Sequence, residues 1–246
     1  MKRMLFILLA AALLLCGCTA AMTPEKIMLD ASKNMAALDA LSGRMQLRLD
    51  FEDGETSISV PVALDFSAEG LQGEDLRMAG LLEAEELRME IYREGEWTYT
   101  VVGDEKYRVK DTDSDMLSAL PELLIPAQND LWEKAEVIVR EEDTLIRIRP
   151  TDAQFQSLYG SFAELAAGFA GNEISDLSFG NAEIEFAVEA GYVRAGNLSF
   201  TLTGNAGGRQ FSAAADVTLL IRDPQQPVTV RFPDGYRDFP ELGAEA

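Results

Sequence analysis

Hydrophobic residues change their spacing repeatedly along the chain. Thr23 and Pro24 read as a helix start, a hydroxyl cap followed by a residue suited to the first helical position. Ile27, Ala31, Met35 and Leu38 then recur at helical spacing. The Leu41–Gly43 stretch predicts the helix end, and strict alternation follows. Met45, Leu47, Leu49 and Phe51 alternate with Arg44, Gln46, Arg48 and Asp50, and Ile58 to Phe66 repeat the pattern beyond "EDGE" at 52–55. This predicts a hairpin with one apolar face. Pro61 has no N–H for a ladder and suits an edge or a bulge. Further short strands are predicted around Leu76–Met78, Leu87–Ile91, Trp97–Val101 and Tyr107–Val109, separated by acidic turns.

The middle of the chain returns to helical spacing. Residues 112–126 predict a short helix capped by Asp113 or Ser114 and interrupted by Pro121. A hairpin follows, Val137–Val139 and Leu145–Ile148 around "REED" at 140–143. After Pro150, Phe155, Leu158, Tyr159, Phe162, Leu165, Ala166 and Phe169 form the most regular helical stripe in the sequence. Alternation resumes in Ile184–Val188, Leu198–Leu202 and Phe211–Ile221, with "GNAGG" at 204–208 read as a turn. Val228, Val230 and Phe232 predict a closing strand. About ten strands, each apolar on one side only, imply an antiparallel sheet covered on one face. Such a sheet curls rather than staying flat. The expectation is an α+β fold, an incomplete (half) antiparallel β-barrel wrapping amphipathic helices.

The N-terminal segment has a different logic. Lys2 and Arg3 precede an uninterrupted apolar run, Leu5–Leu15, and the stretch ends "LCGC". Eleven apolar residues are too few to span a membrane, which takes about 20, and suit a secretory signal. "LCGC" resembles the lipobox of bacterial lipoproteins. The resemblance implies cleavage before Cys18 and a diacylglycerol thioether on it. Cys16 would then leave with the signal, so neither a disulfide nor a multi-cysteine metal site is expected. The alternative is an ordinary secretory cleavage nearby that leaves Cys18 free. The expected organisation is a signal peptide (1–17), a lipidated tether (18–22), one domain (23–240) and a loose tail (241–246). The protein is placed outside the cytoplasm, anchored to a bacterial membrane.

Composition narrows the chemistry. Without Lys2 and Arg3 the 21 basic residues fall to 19 against 42 acidic ones, a mature net charge near −23. Nucleic acid is not an expected partner for such a body. The absence of histidine removes the commonest general base and zinc ligand, and with it Ser-His-Asp and Cys-His catalysis. "DTDSD" at 111–115 spaces oxygens like a calcium loop but has Met116 where that loop needs its glycine; a helix cap is the better account. No enzyme, metal or cofactor is expected. With 42 acidic residues, composition leaves a catalytic carboxylate pair open, though no spacing singles one out.

"TPEKIMLDASKNMAALDALSGRMQLRLDF" and "QQPVTVRFPDGYRDF" are similar to the opening helix and closing strand of the lipoprotein-carrier superfamily typified by LolA and LolB, with the LppX and LprG lipoproteins. The layout looks closest to cell-surface lipoproteins of Firmicutes. The resemblance implies an apolar cavity between sheet and helices that holds a lipid or acyl chain. Candidate lining residues are Met28, Met35, Met45 and Met78, whose side chains adapt to varied shapes, and Phe155, Leu158, Phe162 and Phe169 on a helix laid across the opening. Each also suits ordinary core packing. Expected partners are the membrane, through Cys18, and a lipid or acyl-chain ligand. The alternative is an anchored interaction module with a filled core that docks on an envelope protein.

Overall fold

The computed structural model describes residues 23–52, 57–73, 75–110, 129–158, 174–206 and 208–242. Helix α1 spans Pro24–Ala36. Six strands follow: β1 (Ala40–Glu52), β2 (Ser57–Glu69), β3 (Arg77–Ala84), β4 (Leu87–Glu94), β5 (Trp97–Val102) and β6 (Glu105–Lys110). A short helix α2 (Asn129–Trp132) leads to β7 (Glu136–Val139) and β8 (Thr144–Ile148), and residues 152–158 are helical (α3). Three long strands close the sheet: β9 (Ile174–Glu189), β10 (Tyr192–Ala206) and β11 (Arg209–Ile221).

All eleven strands form one antiparallel sheet in the order β6-β5-β4-β3-β2-β1-β11-β10-β9-β8-β7. Two meanders are thus joined where β1 meets β11, with Leu47 opposite Val217 and Met45 opposite Leu219. The register aligns the apolar positions into one continuous face. Leu64 stands opposite Met45 and Leu82, Leu82 opposite Met89, and Met89 opposite Val102. On the other side, Leu219 is opposite Gly196, Gly196 opposite Phe186, and Phe186 opposite Ile146. A one-residue slip anywhere would turn a strand's apolar set outward.

The helices occupy only part of that face. Ile27, Met28 and Ala31 of α1, with Leu131 and Trp132 of α2, pack on Ile146, Ile148, Ile184, Phe186, Val188 and Val193. Phe155 of α3 packs on Phe179, Ala182 and Phe200. Helix α1 begins as expected: Thr23 accepts from the Lys26 amide and Pro24 opens the first turn. Asn34 ties it to the sheet by donating to the Gly191 carbonyl, 2.8 Å away. Ala190 and Gly191 both have positive φ, as a tight turn between β9 and β10 requires.

Three expectations are corrected. The helix stops at Ala36, and Leu41–Gly43 already belong to β1, because they pair with Phe66, Ser67 and Ala68 of β2. Strand β9 begins at Ile174, ten residues before Ile184. Asp176 and Asn181 take positive φ inside it, and the register shift at Asn181 resets the alternation so that Phe179 and Ile184 are buried on one face despite odd spacing. Val228–Phe232 is not a sheet strand. Residues 222–242 form a strap that crosses the polar face instead. The predicted helix at 112–126, "DTDSD", residues 53–55 of "EDGE" and Cys18 lie outside the described residues, as do Phe162 and Phe169.

Candidate functional site: an apolar sheet face with graded cover

Burial along the apolar face is greatest under the helices, although Leu198, Phe200 and Leu202 of β10 are only partly buried there and Ala68 of β2 is buried. Under the helices, Ile146, Ile148, Ile184 and Phe186 are 0–3% exposed. Ala213, Ala215 and Leu219 of β11 are buried too. Across β1 to β4 the same face carries Met45, Leu47, Leu49, Val60, Val62, Leu64, Phe66, Leu82, Met89 and Ile91, and every one is only partly buried. Ile58 and Leu87 at its margins are 54% and 45% exposed. No described helix packs on these four strands. Val60 to Phe66 alone run roughly 20 Å along β2, at ~3.4 Å per residue. Isolated exposed apolar residues are ordinary, and a contiguous apolar field is the less common arrangement.

The candidate residues divide accordingly. Met28 and Phe155 are fully buried in the two packed clusters, and Met35 and Leu158 rest against the larger one. Met45 and Met78 lie on the partly exposed field; Met45 is opposite Leu64, and Met78 opposite Ala68 and Arg93. The alternation also marks Leu64, Phe66, Leu82, Met89 and Ile91 as members of this field. Singling out methionines hid that, since the register across four strands, rather than residue type, assembles it.

The opposite face is polar and partly sealed by the strap. Arg222 donates its amide to the Ser42 carbonyl and its guanidinium to Asp65, and the Val230 amide donates to Glu69. Phe232, Tyr236 and Phe239 then form an aromatic cluster with Tyr92 and Tyr99. At its centre Glu94 accepts from the Tyr236 hydroxyl at 2.7 Å and from Arg237 at 2.9 Å. Burial opposes ionisation of Glu94, but these two donors, with Arg77 nearby, outweigh it and hold the carboxyl below its usual range. Burial, then the hydrogen bond to Glu90, pushes Tyr92 up to about 12. The strap ends by pairing in parallel with β6: the Arg108 amide donates to Pro240, and the Leu242 amide to Arg108.

Two clefts, of about 460 and 440 Å³, open at opposite ends of the β4–β5 hairpin. The larger is lined by Arg77, Glu94, Glu96, Trp97 and Arg237 and is half polar; neither lies between the helices and the sheet. Among the described residues no cluster of acidic or cysteine side chains is placed to hold a metal ion, and no helix is long and apolar enough to cross a membrane.

Among solved structures the chain is similar to a LolA superfamily protein. That protein comes from Nitrosomonas europaea, with 8% identity, 82% of this chain and 95% of that one covered, and a TM-score of 0.26. A DUF1329 family protein from Desulfovibrio piger matches at 8% identity over 80% of this chain and 90% of its own, TM-score 0.24. A beta-barrel-like protein of the DUF1849 family from Brucella abortus matches at 9% over 76% of this chain and all of its own, TM-score 0.21. No family model and no curated protein matches the sequence.

Proposed function

We propose that the protein is a membrane-anchored, extracytoplasmic lipoprotein that binds a lipid or acyl chain on the apolar face of β1 to β4, for local transfer or presentation. One observation carries this reading. The apolar face continues without a break from a helix-covered core into strands where no large residue is fully buried. A flexible apolar ligand laid there would take water off that surface, the main driving force for such binding. Met45, Met78 and Met89 would let the surface fit chains of differing shape. The lipid on Cys18 would hold the body at one membrane, which favours short-range exchange over ferrying. The sheet in this reading curls as a half-barrel around its occupant.

Leu64 and Leu81 provide the test. Both are partly buried, but their side chains stand on opposite faces, Leu64 on the apolar field and Leu81 on the polar side. Leu64→Glu is expected to lose co-purifying lipid, measured by solvent extraction, while Leu81→Glu retains it. Equal retention by both would contradict the proposed surface.

A second reading is an interaction module with a filled core. It is favoured by the complete burial of Met28 and Phe155 and by clefts that lie away from the helices. In that case neither variant carries lipid, and Leu64→Glu loses an envelope protein partner instead.

A further inference from the structure

The two ends of the sheet are finished differently. At β6 the strap closes the edge through Pro240 and Leu242. At β7 no described residue pairs with the outer edge, and Val139 is 79% exposed, with Val137 at 37%. The direction of the free backbone groups follows from the hairpin. Arg140 donates its amide to the Asp143 carbonyl. Bonded pairs alternate in an antiparallel ladder, so Ile138/Leu145 and Glu136/Arg147 are bonded to β8 as well. The N–H and C=O groups of Val137 and Val139 therefore point away from the sheet.

We propose that the β7 edge pairs antiparallel with the β7 edge of a second copy of this chain, with Ile138 opposite Ile138 across a two-fold axis. In that register Val137 lies opposite the second copy's Val139, and the four outward groups of each copy bond reciprocally. Glu136 lies opposite Arg140. Charge complementarity selects the register. A shift of the pairing by two residues toward the hairpin loop sets Glu136 against Glu142; the opposite shift sets Lys134 against Arg140. Like charges directly opposite one another destabilise a strand pair.

The cross-strand rows support the same arrangement. Within one copy, Glu185 is opposite Arg147 and Arg147 opposite Glu136, with Arg147–Glu185 at 2.6 Å and Arg147–Glu136 at 3.6 Å. Adding Arg140 and Asp143 of the second copy extends this row with the signs still alternating. On the apolar face the row Phe186, Ile146, Val137 continues into Val139 and Thr144 of the second copy. An exposed edge invites strand pairing unless charge or shape prevents it. The two charges flanking β7 have opposite sign, so they favour a self-complementary, isologous contact.

Cysteine cross-linking in the full chain, in its membrane, tests the register. In a non-bonded antiparallel pair the Cα atoms are about 4.5 Å apart, within disulfide reach. Ile138→Cys is expected to give a disulfide-linked dimer in several-fold excess over the unsubstituted chain. Val137→Cys falls two residues out of register with its own copy, roughly 7–8 Å away, and is expected to stay at background. Arg140→Glu added to Ile138→Cys should cut the yield several-fold. Equal cross-linking at 137 and 138, or none at either, overturns the pairing. Sedimentation of the detergent-solubilised full chain, with and without Arg140→Glu, gives an answer that does not depend on the cysteine variants folding. Concentration-dependent dimerisation lost in Arg140→Glu is expected, and a constant monomer overturns the pairing.

Discussion

Gly43 shows how closely the two meanders are joined. A Cβ there would lie 2.5 Å from the Leu220 carbonyl oxygen and 2.7 Å from the Phe66 ring, so the β11 backbone and the Phe66 side chain would have to move. A Cβ at Gly80 is crowded by the end of the Leu64 side chain, at 3.3 Å, and lies at ordinary contact distance, 3.8 and 3.9 Å, from the Asp65 and Ile91 carbonyl oxygens. Gly43→Ala is therefore expected to destabilise the protein by about 1–3 kcal/mol, the usual range for overpacking, and Gly80→Ala by clearly less. Urea midpoints measure both, and equal losses would contradict the seam geometry. Glu94 makes a second prediction. Its folded-state pKa lies below its unfolded one. Its contribution is thus present above the ordinary carboxylate pKa of about 4.3 and is lost as pH falls below that value. Acidification through this window should loosen the strap, read as faster amide exchange at Val230 and Phe239. Glu94→Gln should lose much of that pH dependence.

At the scale of elements, strands were legible where alternation is unbroken. The β4, β5 and β6 stretches carry their own turns, with Gly95 and Gly103 at positive φ, and the sequence places them well. The first half of β9 was hidden because Asp176 and Asn181 break the period there. The strap was misread as a strand for another reason: Val228, Val230 and Phe232 alternate because one side of the strap meets the sheet and the other meets solvent, which is a strand's pattern without a strand's partner. Pro61 suited an edge or a bulge, and of the two it is the edge: among the described residues it lies where β2 runs past β3 and has only β1 beside it. The apolar field was legible strand by strand. Its graded cover was not, because which strands the helices protect depends on pairings between residues far apart in the chain. Removal of residues 236–246 should unprotect the Arg108 amide and expose the β6 edge. Exchange at Arg108 unchanged by that truncation would mean the strap does not close the edge.

At the scale of the whole molecule, one sheet serves two environments. Its β8–β10 part is a helix-covered core, and its β1–β4 part is an apolar surface of the kind a ligand or partner covers. Anchoring is expected to come from outside that body: Cys18→Ala should move the protein from the membrane to the soluble fraction, and a variant that stays bound and uncleaved would contradict the lipobox. The most direct measurement is native mass spectrometry of the chain from Thr19 onward, purified without detergent, alongside solvent extraction of the same sample. A discrete added mass that extracts as lipid and disappears in Leu64→Glu is the predicted result. A bare mass that stays bare after incubation with membrane lipids would contradict lipid binding on the β1–β4 face.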